Sequence, residues 1–302
     1  MSIVKKTVRD IKSLKIQGAT NVRKKAISAI AKSVKSSKEK NPANFRKEFF
    51  QNCSLLFNSR PTEPELRTAI RIVKQSIADK NLSVSEMKEK IIESIQKYEK
   101  NRAKAMEDIS RFGANMIEPN STILTICHSS TVVKMLIKAK KKINHVYCLE
   151  TRPRYQGRIT ARALSDAGIK VTLLVDNAAS TVMKKCDYFF SGTDAFLADG
   201  DIINKIGTNH VSILCKKYDV KHYAVMSTHK FEPSTLLGKQ QPIEQRDVSE
   251  VWSEKEMKKF GAKKIKLMNP AFDRTDSSTI EGIICEIGIF TPQNLVMKLI
   301  EK

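Results

Sequence analysis

Six short apolar runs after residue 120 constrain the fold of this chain more than any other feature of its sequence. Each run is too short for a helix and lacks polar alternation, and helical stretches with turn residues lie between most of them. Buried strands that alternate with helices form a parallel sheet covered by helices on both faces. The sequence therefore predicts a Rossmann-like α/β domain with a doubly wound, mainly parallel sheet. The runs cover 123–126, 146–149, 171–175, 188–190, 223–226 and 283–285.

The first part of the chain has the pattern of helices. Apolar residues recur at three- and four-residue spacing in three stretches, which begin near Val22, Leu66 and Val84. The third stretch is the longest and is predicted to end at Gly113. We therefore expect a helical N-terminal domain at 1–118, followed by the α/β domain at 119–302.

The charge balance favours anionic partners. Among 302 residues, Lys and Arg outnumber Asp and Glu by 54 to 32, which gives a net charge of +22, and residues 1–50 alone carry +11. Such a surface attracts nucleic acid, phosphorylated metabolites or acidic proteins. A solvated, lysine-rich surface with no anionic partner accounts for the same charge, so composition leaves these interpretations open.

Cysteine spacing and hydropathy indicate a cytoplasmic protein. The six cysteines are widely scattered and form no Cys-x-x-Cys pair, which is typical of a reducing compartment and of neither a zinc ribbon nor a disulfide scaffold. We expect no secretory signal, because the first residues contain no apolar core, and no membrane partner, because no apolar run approaches the roughly 20 residues of a bilayer span.

Polar and reactive side chains follow five of the predicted strands. Ligands of doubly wound sheets bind beyond the carboxyl ends of the strands, so these groups are expected at one edge. A helix cap would account for Ser129 or Ser130 alone, but five strands that deliver such groups together predict a site. The groups are Cys127, His128, Ser129 and Ser130; Glu150, Thr151 and Arg152; Asp176 and Asn177; Asp194; and Thr228, His229 and Lys230.

Cys127 and Asp194 form a candidate acid–base pair at this edge. A helix that begins near Ser129 and nearby cations are expected to lower the pKa of the Cys127 thiol and favour the thiolate. Asp194 would serve as the acid if burial raised its pKa. We interpret the other five cysteines as structural.

Cations near this pair indicate a phosphorylated substrate. Arg152, Arg154 and Arg158 have the geometry for bidentate phosphate or carboxylate binding, and Lys205 and Lys230 add two point charges. In the helical half, the turn at 17–20 offers backbone N–H groups to a phosphate. No dinucleotide or Walker A motif and no metal-ligand spacing is present, so we expect no cofactor and no metal.

Two long motifs resemble one superfamily. They read Glu-Thr-Arg-Pro-Arg-Tyr-Gln-Gly-Arg-Ile-Thr-Ala at 150–161, and Gly-Thr-Asp at 192–194 followed by Ile-Asn-Lys-Ile-Gly-Thr at 203–208. Ser-Arg-Pro-Thr at 59–62 and Asn-Pro-Ala-Phe-Asp at 269–273 extend the resemblance over essentially the whole chain. The superfamily contains the regulatory subunits of initiation factor 2B, methylthioribose-1-phosphate isomerase and archaeal ribose-1,5-bisphosphate isomerase.

Within this superfamily the chain is most similar to ribose-1,5-bisphosphate isomerase. This similarity is carried by Cys127-His128-Ser129, Thr228-His229-Lys230-Phe231, Leu237-Gly238 and Arg246-Asp247. The isomerases carry a catalytic Cys after the first sheet strand and an Asp in the central motif, and Cys127 and Asp194 match both positions. The resemblance implies conversion of ribose 1,5-bisphosphate to ribulose 1,5-bisphosphate in AMP breakdown, with Cys127 as base and Asp194 as acid. The implied ligands of phosphates and hydroxyls are Gln17, Gly18, Ala19, Arg60, Ser129, Arg152, Asn204, Lys205 and Lys230.

One departure keeps a second interpretation open. The enzymes usually read Arg-Gly-Ala where this chain reads Gln17, Gly18 and Ala19, and a lost charged hydrogen bond weakens binding by roughly 1.5–3 kcal/mol. Gln17 and the basic helices favour a non-catalytic regulatory subunit that contacts an initiation factor or tRNA. Catalysis on a different sugar 1-phosphate is a third possibility. The resemblance also implies a homodimer or a larger homo-oligomer.

Overall fold

The computed structural model describes residues 2–16, 18–60, 62–262 and 264–301. The chain forms two compact units. The helical unit comprises residues 1–104 and 229–231, and the sheet unit comprises residues 105–228 and 232–302. The division falls inside one long helix, between Lys104 and Ala105. No helix in these described ranges is long and apolar enough to cross a bilayer.

Five helices build the helical part of the chain. Their apolar stripes pack into one core that includes Val22, Phe45, Leu66 and Met87, each 2% exposed or less. The predicted stripes near Val22, Leu66 and Val84 are confirmed as α2, α4 and α5, while α1 and α3 were not predicted. The helices are α1 (Ile3–Lys12), α2 (Ala19–Ser36), α3 (Pro42–Phe57), α4 (Pro64–Gln75) and α5 (Val84–Met116).

Gly113 does not end the third predicted helix, because α5 continues to Met116. A Cβ atom on Gly113 would lie 2.1 Å from Sδ of Met135. The glycine therefore serves close packing against a methionine of the sheet unit, where any side chain would overlap with it. The prediction of a helix end at this residue was wrong.

The sheet unit is built on seven strands in the order β10-β9-β7-β4-β1-β2-β3, which are all parallel to their neighbours except β10. All six predicted apolar runs are strands of this sheet. They are β1 (Ser121–Ile126), β2 (Ile143–Leu149), β3 (Val171–Leu174), β4 (Tyr188–Gly192), β7 (Lys221–Val225) and β9 (Gly282–Cys285), and β10 is Gly288–Phe290. The doubly wound α/β prediction is confirmed.

Six further helices of the sheet unit are α6 (Ser130–Lys138), α7 (Gln156–Asp166), α8 (Ala179–Val182), α9 (Thr208–Tyr218), α10 (Glu254–Lys259) and α11 (Pro292–Ile300). A small antiparallel sheet, which the sequence analysis did not predict, is made by β5 (Ala195–Phe196), β6 (Ile202–Lys205) and β8 (Phe272–Thr275). Its middle strand β6 leads directly into α9. The chain therefore reverses direction within this small sheet, between β4 and α9.

A buried polar network links β4, β7 and α9 inside the sheet unit. His222 on β7 is 1% exposed and lies between two serines, 2.8 Å from Oγ of Ser191 and 2.7 Å from Oγ of Ser212. Burial lowers the pKa of His222 to about 3, so the imidazole is neutral at physiological pH. The network satisfies polar groups within the core and fixes α9 against the sheet.

Candidate functional site

Cys127 follows β1 in a backbone conformation that non-glycine residues rarely adopt. Its φ is +63°, in the left-handed region, which costs an L-residue about 1–2 kcal/mol. Two threonines hold this conformation. The Cys127 N–H donates to Oγ1 of Thr151 at 2.9 Å, and its C=O accepts from Oγ1 of Thr160 at 2.7 Å. The hydrogen bonds of these two threonines therefore stabilise a backbone conformation of Cys127 that is locally unfavourable.

Asp176 continues this chain of contacts to the end of the next strand. Its two carboxylate oxygens accept from the N–H groups of Thr151 and Arg152, both at 2.7 Å. Asp176 follows β3, Thr151 follows β2 and Cys127 follows β1, so hydrogen bonds connect three successive strand ends. Asp176 was predicted at this edge, and its carboxylate stabilises the backbone that follows β2.

The Cys127 thiol is less acidic than the sequence analysis expected. Desolvation by burial is the largest effect on its pKa and raises it to about 11. The Lys205 ammonium and the His128 backbone N–H lower this pKa, whereas the carboxylates of Asp194 and Asp176 raise it. The predicted cation and backbone effects are present, but burial outweighs them. At neutral pH Cys127 is therefore a thiol.

Ser129, Gly192 and Asn204 meet beside the Cys127 turn. Ser129 caps α6 through its Oγ, which accepts from the Val132 N–H at 3.4 Å. A Cβ atom on Gly192 would lie 3.0 Å from Cβ of Ser129 and 3.6 Å from Oδ1 of Asn204. A Cβ atom at residue 192 would therefore be in tight contact with Ser129 and in ordinary contact with Asn204. Two predicted ligands, Ser129 and Asn204, lie together at this edge.

Asp194 is joined to β6 by its backbone. Its N–H donates to the carbonyl of Ile203 at 2.8 Å, which places it beside the strand that carries Asn204 and Lys205. Asn204 is 5% exposed, and its Nδ2 donates to Oγ1 of Thr208 at 2.9 Å. The effects of Asp194 and Lys205 on the Cys127 pKa place both charges near the thiol. The sheet unit thus groups Cys127, Ser129, Asp194, Asn204 and Lys205.

The three arginines after β2 have partners within the protein. Arg154 pairs with Glu250 at 2.6 Å, and Arg158 pairs with Glu150 at 3.0 Å. Arg152 has neutral hydrogen-bond partners: it donates to the Tyr155 hydroxyl at 2.6 Å and to the Val251 carbonyl at 3.4 Å. Exchanging neutral partners for an anion costs less than breaking an ion pair, so Arg152 is the best suited of the three to a phosphate.

The helical unit holds the remaining predicted ligands. Gly18 caps α2 with a φ of +78°, Ala19 begins that helix, and Gln17 lies outside the described residues. Arg60 is 7% exposed and lies 3.6 Å from a carboxylate oxygen of Glu63. Lys230 is one of the cations that act on the pKa of Glu65.

Glu65 anchors two buried arginines in the helical unit. It is 1% exposed, accepts a hydrogen bond from Nε of Arg102 at 3.0 Å, and forms an ion pair with Arg23, whose Nε lies 3.0 Å from the same carboxylate oxygen. Burial acts to raise the pKa of Glu65, but Arg102, Lys230, Arg23 and His229 together hold it below its usual value. The cluster lies in the part of the chain that carries Arg60 and Lys230, and sequence periodicity gave no signal for it.

No group of three or more His, Cys, Asp or Glu side chains suited to a metal ion occurs within the described residues. The groups that the sheet unit brings together at this edge are a thiol, a carboxylate, a lysine and the polar side chains of Ser129 and Asn204.

Comparison with known proteins places this architecture in a family. Ribose 1,5-bisphosphate isomerase of Methanocaldococcus jannaschii is 35% identical over 295 residues, which cover 97% of this chain and 93% of that protein. The crystal structure of 5-methylthioribose 1-phosphate isomerase from Pyrococcus horikoshii OT3 superposes with a TM-score of 0.81 at 27% identity, over 99% of this chain and 87% of that one.

A second solved structure shares the fold. The translation initiation factor eIF-2B of Pyrococcus horikoshii OT3 superposes with a TM-score of 0.80 at 22% identity, over 97% of this chain and 98% of that one. The sequence profile of the initiation factor 2 subunit family matches residues 15–292. The chain belongs to the initiation factor 2 subunit family.

Proposed function

We propose that this chain is an aldose–ketose isomerase that converts ribose 1,5-bisphosphate to ribulose 1,5-bisphosphate. The observation that carries the proposal is that Cys127 and Asp194 follow the neighbouring parallel strands β1 and β4, while Lys205 ends β6, the strand to which the Asp194 backbone is hydrogen-bonded. A thiol and a carboxylate beside a cation provide a base, an acid and a phosphate contact in one place. The M. jannaschii relative, a ribose 1,5-bisphosphate isomerase, supports the same substrate.

The reaction needs two proton transfers at carbon and two at oxygen. The ring oxygen gains a proton as its bond to C1 breaks, C2 loses its proton and C1 gains one, and the C2 hydroxyl loses its proton to become the ketone. We assign removal of the C2 proton to Cys127 and delivery of protons to Asp194. Because the pKa of Cys127 is about 11, its thiolate is a minor but strongly basic species at neutral pH.

The remaining residues are proposed to hold the substrate. Ser129, Asn204 and Lys205 would bind phosphate oxygens and hydroxyls at the sheet edge, with Arg152 as a further phosphate contact. Gln17, Gly18, Ala19, Arg60 and Lys230 are proposed to bind phosphate from the helical unit. An amide at residue 17 donates a neutral hydrogen bond, so this contact is weaker than that of an arginine.

A non-catalytic role as an initiation factor 2B-like regulatory subunit is the second candidate. The net charge of +11 over residues 1–50 favours it, since a basic helical surface suits an acidic factor or tRNA. Under either function we propose a cytoplasmic homodimer or larger homo-oligomer. A monomeric mass in sedimentation at micromolar concentration would contradict that assembly. A role in nucleotide breakdown follows from the proposed substrate.

The test is turnover of ribose 1,5-bisphosphate by the purified protein, with ribulose 1,5-bisphosphate measured as product. We expect Cys127→Ser and Asp194→Asn to lose turnover while they keep the wild-type circular dichroism spectrum. Cys148→Ser is the matched control, because Cys148 is a buried cysteine of the adjacent strand β2 and we expect it to retain activity.

Two negative results would point elsewhere. Turnover of methylthioribose 1-phosphate alone would keep the isomerase chemistry and change the substrate. No turnover of either sugar by folded protein would reject the enzyme and favour the regulatory candidate, and Gln17→Arg would then test whether that departure removed the activity.

A further inference from the structure

Asp273 on β8 caps a helix that has no side-chain cap of its own. The N-cap of α9 is Gly207, which has no side chain, with a φ of +99°. Oδ2 of Asp273 accepts from the Gly207 N–H at 2.7 Å and from the Asn209 N–H at 3.2 Å. Asp273 and Gly207 are 66 residues apart in sequence. A carboxylate at this place also complements the positive end of the helix dipole.

This cap fixes the turn that carries two proposed substrate ligands. Asp273 pairs in register with Asn204, and Phe272 pairs with Lys205, in the antiparallel β6–β8 ladder. The Lys205 ammonium lies 4.7 Å from the centre of the Phe272 ring. Only Ile206 separates Lys205 from the capped Gly207, so movement of the cap moves the lysine.

The charges around Asp273 connect it to Cys127. Desolvation is the largest effect on the Asp273 pKa and raises it to about 6. The N–H groups of Gly207 and Asn209 and the charge of Lys205 act in the opposite direction and lower this pKa. Lys205 lowers the pKa of Cys127 as well, so one ammonium group faces both residues. Arg274, the next charged residue on β8, forms ion pairs with Asp201, at 2.6 Å, and with Asp199, and not with Asp273.

The cap is also costly for a purely structural role. Oδ1 of Asp273 is buried and has no hydrogen-bond partner on another of the described residues. An asparagine would accept the same N–H groups without a buried charge, so stability alone does not account for a carboxylate here. A local cost of this kind next to a candidate site points to a functional constraint.

We propose that Asp273 is a positioning residue for the reaction: its hydrogen bonds cap the turn at 204–207, and the negative charge of its carboxylate holds the Lys205 ammonium so that it faces Cys127 and a substrate phosphate. The inference rests on the proposed function and assigns a role to a motif residue that lies outside the acid–base pair. It acts through Lys205 and the start of α9, without contacting the substrate itself.

The test compares Asp273→Asn with Asp276→Asn. Asp276 is an exposed aspartate three residues away that also caps backbone, accepting from the Ser278 N–H at 2.7 Å. We expect Asp273→Asn to lower kcat/KM about tenfold or more while its Tm at pH 7.5 is unchanged or higher, because the folded protein prefers a neutral group at this position. Asp276→Asn should keep wild-type activity.

Alkylation of Cys127 by iodoacetamide gives a second readout that needs no substrate. If Asp273 holds Lys205 near the thiol, Asp273→Asn alkylates more slowly than the wild type at each pH. Simple removal of a negative charge would instead lower the thiol pKa and make alkylation faster. The opposite signs separate positioning from a direct charge effect.

The pH dependence completes the test. As pH falls through about 6, Asp273 takes up a proton and wild-type kcat/KM should fall, whereas Asp273→Asn lacks that step. Titration of the substrate phosphates affects both proteins equally, so the difference belongs to Asp273. Alkylation at or above the wild-type rate, or a parallel loss of Tm and activity, would overturn the proposal. If the wild type lacks turnover, the proposed function fails, and alkylation still decides whether Asp273 positions Lys205.

Discussion

Replacement of Lys205 by methionine tests the electrostatics of the site directly. The pKa of Cys127 stands at about 11 with the Lys205 ammonium lowering it, so loss of that charge should raise the pKa further. An opposite charge near a titratable group shifts its pKa by about 1–3 units, or roughly 1.4–4 kcal/mol. Lys205→Met should therefore reduce the thiolate fraction at pH 8–9 by about tenfold or more.

The assay is the rate of iodoacetamide alkylation of Cys127 between pH 7 and 10, with Cys127→Ser as the blank for the other cysteines. In the wild type the rate should rise about tenfold per pH unit without a plateau, because the pKa lies above this range. Lys205→Met should run parallel and lower. A wild-type plateau near pH 8.5, or a variant that alkylates as fast as the wild type, would refute the assignment of a buried thiol beside a cation.

The other predictions concern catalysis and stability. If Cys127 is the base, kcat/KM measured by product formation rises about tenfold per pH unit above neutral, and a flat profile would assign it the acid role instead. Gly192→Ala, whose Cβ would approach Ser129 to 3.0 Å, should lose about 1–3 kcal/mol in urea unfolding and most of the activity. Because the pKa of His222 is lowered in the folded state, the free energy of unfolding should fall as pH drops from about 6 toward 3, by up to roughly 1.4 kcal/mol per pH unit. His222→Gln should flatten this pH dependence of stability. Glu65→Gln leaves two buried guanidinium groups without their shared carboxylate and should lower the free energy of unfolding by about 3–5 kcal/mol. Because the pKa of Glu65 is lowered in the folded state, its contribution to wild-type stability is present above pH 4.5 and lost on acidification, which urea unfolding at pH 7 and pH 4 would detect.

The main sheet was predictable because strands buried on both faces have continuous apolar sequences. Every residue of β1 and β4 is buried, and both were identified from their composition alone. The small sheet was not predictable in the same way. Its strand β5 has two residues, and β8 reads Phe-Asp-Arg-Thr, which has no strand pattern because Asp273 caps a helix and Arg274 forms an ion pair. Short strands of this kind form because tertiary contacts outweigh local preference.

The grouping of polar residues at the sheet edge was predictable from the sequence, and the acidity of the thiol was not. The rule that strand ends meet at one edge was enough to group Cys127 with Asp194, because their strands are neighbours. The acidity of the thiol was predicted with the wrong sign, since desolvation depends on packing that a sequence does not give. The role of Asp273 depends on a contact 66 residues away in sequence, and Gly113 depends on Met135, so neither has a local signal.

The local costs at the sheet edge favour an enzyme over a regulatory subunit. Cys127 has a left-handed backbone, its thiol is desolvated near two carboxylates, and Asp273 keeps a buried carboxylate oxygen without a partner. A surface that only contacts a protein partner needs none of these features, and an alanine after β1 or an asparagine on β8 would be less costly in free energy. Strain and desolvation of this kind persist where a reaction requires them, and here they lie around one thiol, one acid and one lysine.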